Sequence, residues 1–205
     1  MPLGSLSRDP EVPLGMPAVR RPRLLAALLA TALLSGCGYS RIQELDERAA
    51  EARSDIEVQL LRRSEVVPSL VETVERYAEV ESSVIEAVAD SRVGLVAAVR
   101  SADLSAMQSA SGALSRALGD LLAAVADYAD LQADPGFQRL RSQLEDTRDQ
   151  IVRAARSYNE AVGSYNEFIA AFPQAVTARV IGAERRQPFG SSEETDSASV
   201  DPADE

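Results

Sequence analysis

The chain has 205 residues and a formal net charge of −11, from 32 acidic and 21 basic residues. An acidic balance of this size argues against binding to nucleic acid and against a general attraction to anionic lipid. The sequence has one cysteine and no histidine or lysine, so it lacks the commonest general base, the Schiff-base and P-loop lysines, and zinc sites built from His and Cys. We therefore expect no catalytic residue, metal, cofactor or small-molecule substrate.

The single cysteine, Cys37, ends a segment with the organisation of a secretory signal. A basic cluster of Arg20, Arg21 and Arg23 precedes an apolar run, Leu24 to Leu34, that is too short to span a bilayer comfortably. The ending Leu-Ser-Gly-Cys resembles the lipobox of bacterial lipoproteins, in which the cysteine thiol is acylated and the chain is cut before it. The alternative is a short membrane anchor with an incidental cysteine.

The lipobox interpretation defines the N-terminal organisation. Residues 1–36 are a signal peptide, with Met16 as the favoured translation start, and residues 37–40 form a lipid-anchored N-terminus and short tether. The lipid on Cys37 would attach the protein to a membrane of the cell envelope. Because no aspartate follows the cysteine, the outer membrane facing the periplasm is expected in a cell with two membranes.

Residues 41–172 are predicted to form the folded domain and to be helical throughout. Glycine and proline are scarce there, and apolar residues recur at spacings of three and four, which is typical of amphipathic helices. Four stripes can be followed along the chain: Ile42, Leu45, Ala49, Ala52, Ile56 and Leu60; Val67, Leu70, Val74, Tyr77, Glu81, Val84, Val88 and Leu95; Leu104, Met107, Ser111, Leu114, Leu118, Leu121, Val125 and Tyr128; and Phe137, Leu140, Leu144, Thr147, Ile151, Ala154, Tyr158, Ala161, Tyr165, Phe168 and Phe172.

Short connections are predicted between these stripes, near residues 64–67, 100–103 and 130–135. Because each helix is polar on its other face, its apolar side must be buried against nearly antiparallel neighbours. We predict an all-α, antiparallel up-and-down four-helix bundle. The alternative is a three-helix bundle with one long helix kinked at Pro68.

Particular residues mark helix ends in this reading. Ser101 or Asp103 can cap the third helix, and Asp134-Pro135 supplies an N-cap acceptor followed by proline in the first turn of the fourth. Phe172-Pro173 is predicted to end that helix.

The C-terminal part has a different composition. Residues 173–189 form a short mixed extension, and residues 190–205 are rich in Ser, Asp and Glu. Because so few apolar residues cannot offset the entropy of ordering a chain, we predict that residues 190–205 are a disordered acidic tail.

Several strings taken together resemble the LemA family of bacterial membrane-associated helical proteins. Residues 56–63 read Ile-Glu-Val-Gln-Leu-Leu-Arg-Arg and residues 66–74 read Val-Val-Pro-Ser-Leu-Val-Glu-Thr-Val; two Tyr-Asn pairs seven residues apart then precede Phe172-Pro173. The resemblance covers roughly residues 39–189 and implies a four-helix bundle held at a membrane by its N-terminus. Family members typically have a transmembrane segment there, whereas Leu-Ser-Gly-Cys predicts a lipid anchor. The resemblance implies no particular biochemical activity, because none is settled for the family.

Two polar motifs are candidate interaction sites. Tyr158-Asn159 and Tyr165-Asn166 lie one heptad apart and would stack on one helix face, either as a recognition strip or, as we favour, with buried rings and polar groups bonded to a neighbouring helix. Arg62-Arg63 could bind an acidic partner or phosphate. We favour a pair at a helix end that interacts with the helix dipole and with Glu57 or Glu65.

The composition and the resemblance favour a non-enzymatic, membrane-anchored scaffold that binds protein partners or other copies of itself. The alternative is a self-assembling, membrane-remodelling protein, for which the long fourth stripe and the extra apolar residues Val71, Ile85, Val96 and Val99 would be suited. An enzyme is the third class of function considered.

Glu81 lies on an apolar stripe, where we expect it to meet an arginine such as Arg148.

Overall fold

The structure is a computed structural model that describes residues 21–190, and for residues 21–37 it describes the helical backbone alone. The described chain is helical and contains no strand between residues 21 and 190. Its helices are α1 (Arg21–Tyr77), α2 (Ser82–Ser101), α3 (Leu104–Ala124), α4 (Ala129–Ala133), α5 (Pro135–Ala170) and α6 (Gln174–Ile181). The predicted all-α bundle is confirmed. Residues 1–20 of the predicted signal peptide, among them Met16 and Arg20, and the tail after Gly190 lie outside the described residues.

Helices α1 and α5 form a long antiparallel pair, on which α2 and α3 pack as a shorter helical hairpin. At one end the Tyr77 hydroxyl donates to Asp134 Oδ2 at 3.1 Å. Partway along α1, the guanidinium of Arg53 donates to the carbonyl of Ala102, in the turn between α2 and α3. The hairpin therefore covers α1 from about Arg53 to Tyr77, and the N-terminal part of α1 must be covered by other segments.

The core consists of the predicted apolar stripes. All six members of the first stripe are buried, and the main cluster joins residues of α1, α2, α3 and α5. A second, smaller cluster lies at the N-terminal end of the described bundle: Ile42, Leu45, Tyr165, Ile169 and Ala178. The second cluster brings α6 into contact with the α1–α5 pair.

The buried face of α5 departs from the predicted stripe after Tyr158. Val162 and Ile169 are buried in place of Ala161 and Phe168. A strict seven-residue repeat drifts by about 20° per heptad on a straight helix of 3.6 residues per turn, so the buried position moves one residue later. Phe172, the predicted last member, lies beyond the end of the helix and is 86% exposed.

The predicted connection at residues 64–67 is wrong, because α1 continues through Pro68. A proline has no N–H to donate to the carbonyl four residues earlier. Here that carbonyl belongs to the buried Ser64, and it accepts a hydrogen bond of 2.8 Å from Arg92 Nε of α2 instead. A side chain from a neighbouring helix therefore replaces the missing backbone donor.

The second apolar stripe contains a helix break that the sequence did not predict. Helix α1 ends at Tyr77 and α2 begins at Ser82. Glu81 is exposed immediately before α2, and its Oε2 accepts a hydrogen bond from Ser83 at 3.4 Å. The expected core contact of Glu81 with Arg148 is therefore wrong. The predicted four principal helices are present, with the first boundary displaced toward the C-terminus.

The predicted N-caps of α3 and α5 are confirmed. Asp103 accepts hydrogen bonds from the backbone N–H groups of Ser105 and Ala106 at 2.9 and 3.1 Å. Asp134 accepts from the N–H of Phe137 at 2.8 Å, with Pro135 as the first helical residue. Both carboxylates satisfy donors that have no partner inside the helix.

Candidate functional site

The predicted lipidation residue, Cys37, lies within the helical backbone of α1. The predicted tether at residues 37–40 is part of that helix. A Cβ placed on Gly38 would lie 3.7 Å from Oγ1 of Thr177 in α6. Helix α6 therefore packs directly beside the residue that follows Cys37.

Helix α6 exposes an apolar face at this end of the bundle. Its Ala178 is buried against α1 and α5, whereas Val176 and Val180 are 59% and 80% exposed. Phe172, Ile181 and Tyr39 add to the exposed apolar surface of the same region. Val176 and Val180 are four residues apart on α6 and share a face of it, and Phe172 lies in the turn just before the helix.

Sequence analysis missed this face, since it treated residues 173–189 as a mixed extension. The spacing of Phe172, Val176 and Val180 was the available signal, but it is too short to be distinguished from a core-facing stripe. No helix in the described part of the chain is long and apolar enough to cross a membrane.

The tyrosines of the two Tyr-Asn pairs lie in the core. The rings of Tyr158 and Tyr165 are buried, and this burial raises the pKa of both phenols. The Tyr158 hydroxyl donates to the carbonyl of Gln187 at 2.9 Å. The favoured interpretation of the rings therefore agrees with the structure, but the polar partner is not a neighbouring helix.

The partner is an extended segment after α6, residues 183–190, which we call the C-terminal strap. Asn159 donates to the carbonyl of Phe189 at 2.9 Å and accepts from its N–H at 2.7 Å. Asn166 pairs in the same way with the carbonyl and N–H of Arg186, at 2.8 and 2.9 Å. Each asparagine amide therefore satisfies both the N–H and the C=O of one strap residue.

The two asparagines match the strap in spacing. Seven residues along a helix advance by about 10.5 Å, and three residues of an extended chain advance by roughly 10 Å. Asn159 and Asn166 therefore meet Phe189 and Arg186 in register. This long-range match could not be read from the local sequence.

Arg186 ties the strap to α1 as well. Its Nε lies 2.8 Å from Oδ1 of Asp46, and its guanidinium stands 5.9 Å from the centre of the Tyr165 ring. The hydrogen bond to Asp46 raises the pKa of Arg186. The strap thus covers the part of the α1–α5 pair that the α2–α3 hairpin leaves open, and Phe189 packs against the main core.

Arg62 and Arg63 lie inside α1, so the prediction that they stand at a helix end is wrong. Arg62 is exposed, whereas Arg63 is only 7% exposed. Arg63 Nη1 donates to Oγ of Ser115 in α3 at 2.8 Å, and its Nε has no hydrogen-bond partner within the described chain. Burial, and then the charge of Arg148, lower the pKa of Arg63.

Among residues 38–190, no group of three or more Cys, Asp or Glu side chains is placed to hold a metal ion. A family model described as the LemA family matches residues 52–201. No curated protein matches the chain. The matched region contains the C-terminal part of α1, all later helices, the strap and part of the segment that follows it.

Proposed function

The chain belongs to the LemA family, and from this premise we propose that it is a non-enzymatic, lipid-anchored helical bundle that serves as a scaffold for protein partners at a membrane of the cell envelope. Cys37 is the attachment point. The polar faces of the helices are the surfaces offered to partners. The absence of histidine and lysine from the sequence supports the non-enzymatic part of the proposal.

The observation that carries this proposal is the exposed apolar face of α6 beside Cys37. Val176, Val180 and Phe172 are exposed to water in the isolated chain, and burying one such side chain stabilises by about 1.5–3 kcal/mol. A membrane surface next to the acylated cysteine would provide that burial. The lipid supplies attachment, at about 0.8 kcal/mol per buried methylene, and α6 supplies orientation.

The attachment is tested at the mature N-terminus. Mass spectrometry of trypsin-digested membrane fractions should find an acylated peptide beginning at Cys37. The variant Cys37→Ala should remain unprocessed. An uncut, unmodified peptide spanning residues 24–41 in the mature protein would overturn the lipid anchor and restore the spanning-segment interpretation.

The orientation is tested with a single tryptophan, since the chain has none of its own. Acylated V180W bound to vesicles that contain brominated lipid should be quenched, because α6 would lie at the lipid surface. The matched control is V93W on α2, where Val93 is 62% exposed and lies in a different helix. Equal quenching of V180W and V93W would contradict a role for α6 in orientation.

The alternative of side-by-side polymerisation loses its main support. Val99 is buried, and Val71 and Ile85 pack against the core of their own chain. Most of the apolar stripe of α5 faces the interior of the bundle. Light scattering on the full chain in detergent should give a concentration-independent mass per bundle, and growing filaments would favour the alternative.

A further inference from the structure

The strap ends at a groove on the side of α3. The groove has a volume of about 360 Å³, and its lining includes Ser111, Ser115 and Arg116 of α3 and Phe189 and Gly190 of the strap. Gly190 is the last described residue. The end of the strap is held in position because the side chain of Asn159 bonds both the carbonyl and the N–H of Phe189. The chain therefore leaves the strap at the groove itself.

One cation, Arg116, lines the groove, and the buried Arg63 contacts one of the groove residues. That residue is Ser115, to which Arg63 donates a hydrogen bond, and the buried Nε of Arg63 is unpaired. The charge of Arg148 also acts on Arg63 and lowers its pKa. Within residues 38–190, none of these three arginines forms an ion pair. Because Arg116 has no carboxylate partner and no acidic residue of the described chain lines the groove, this surface is suited to a carboxylate.

We propose that the groove binds the acidic tail of the same chain, residues 191–205. The tail holds six acidic residues and no basic one. Glu193, Glu194 and Asp196 follow Gly190 by three to six residues, which at roughly 3.3 Å per extended residue reaches about 10–20 Å. Their carboxylates can therefore reach Arg116 in the groove. This assignment does not depend on the lipid anchor.

The absence of lysine makes the contact measurable, because a carbodiimide joins carboxylates to amines and not to guanidinium groups. In the full-length chain, R116K introduces a single lysine at the groove and keeps its charge. R62K is the matched control, since Arg62 is exposed and is not part of the groove lining. Circular dichroism should show the same helicity for both variants.

After carbodiimide treatment, peptide mass spectrometry should identify links from position 116 to Glu193, Glu194 or Asp196 within monomeric protein. The same links should be absent in R62K and lost from R116K in 1 M salt, where the screening length falls to about 3 Å. Links from position 116 only to bundle carboxylates such as Asp120 would overturn the proposal. Tail links found only in covalent dimers would also overturn it, and would assign the groove to the tail of a second copy.

Discussion

At the scale of single residues, Asn159 and Asn166 illustrate how side chains can replace a strand or helix as the partner of a backbone segment. An asparagine amide carries one acceptor and two donors, so it can pair with the N–H and C=O of one residue. The two amides together satisfy four backbone groups of the strap. These hydrogen bonds hold the strap on α5 and give its backbone groups the partners that a regular helix or strand would otherwise provide.

We predict that Asn166→Ala opens the strap locally. It removes two hydrogen bonds, each with a net value of about 0.5–1.5 kcal/mol. Trypsin cleavage after Arg185 and Arg186 should accelerate by roughly 5- to 30-fold, the change in open population for about 1–2 kcal/mol. The control is Ser164→Ala, since the Ser164 hydroxyl bonds only within α5. Equal cleavage rates in the two variants would contradict the role of Asn166.

A second residue-scale prediction concerns the N-cap Asp134. The hydrogen bond from the N–H of Phe137, followed by that from the Tyr77 hydroxyl, holds the pKa of this carboxyl below its ordinary value of 3.8. A pKa lowered by folding gives stability that is present above the unfolded value and lost as pH falls through the folded one. Asn caps about as well as Asp but does not titrate.

The melting temperature of the native protein should therefore fall more steeply than that of Asp134→Asn as pH is lowered from 6 to 2.5. Thermal unfolding followed by circular dichroism at each pH measures the difference. Parallel curves over this range would show that the cap does not contribute to the acid sensitivity of the protein.

At the scale of helices, the most informative position is Pro68, which a local rule marks as a boundary. Proline costs about 3 kcal/mol or more in a helix interior, because it removes a hydrogen bond and crowds the preceding turn. Arg92 offsets the loss of the hydrogen bond, because its Nε donates to the carbonyl of Ser64 in place of the missing backbone N–H. The continuity of α1 is therefore a property of the α1–α2 pair.

This account predicts coupling between positions 92 and 68. Arg92→Ala should lower the free energy of unfolding by about 1–3 kcal/mol, because a buried carbonyl loses its donor. In a Pro68→Ala background the loss should be smaller, since an alanine N–H at position 68 can bond Ser64. Urea unfolding of the four proteins measures the coupling.

Arg100→Ala, an exposed position on the same helix, is the control for loss of an α2 arginine. If Arg92→Ala costs the same free energy with proline and with alanine at position 68, the two residues act independently and another cause must keep α1 continuous.

At the scale of the whole molecule, the helices of the bundle differ in length. Helices α1 and α5 are long, while α2 and α3 have 20 and 21 residues. The remaining length of the α1–α5 pair is covered by α6 and the strap. The C-terminal region thus completes the core at the end that carries Cys37, and it places the apolar face of α6 beside the predicted anchor.

We expect a chain ending at Gly182 to be less stable than a chain ending at Gly190. Both lack the acidic tail, so the difference reports the strap alone. The loss should be about 3 kcal/mol or more, from the partial burial of Phe189 and the hydrogen bonds of the strap. Urea midpoints compare the two chains, and coincident midpoints would contradict a structural role for residues 183–190.

Local patterns in the sequence determined the helical class, the four principal helices, most of the core and the caps at Asp103 and Asp134. Each depends on residues within one or two helical turns of each other. The tertiary structure alone decided that α1 passes through Pro68, that the Asn159–Asn166 face holds the strap, that α6 exposes its valines, and that Arg63 is buried. Those outcomes depend on groups far apart in the chain, such as Asn166 with Arg186, 20 residues apart, and Arg63 with Ser115, 52 residues apart. Packing selects such partners, and no spacing along one helix encodes them.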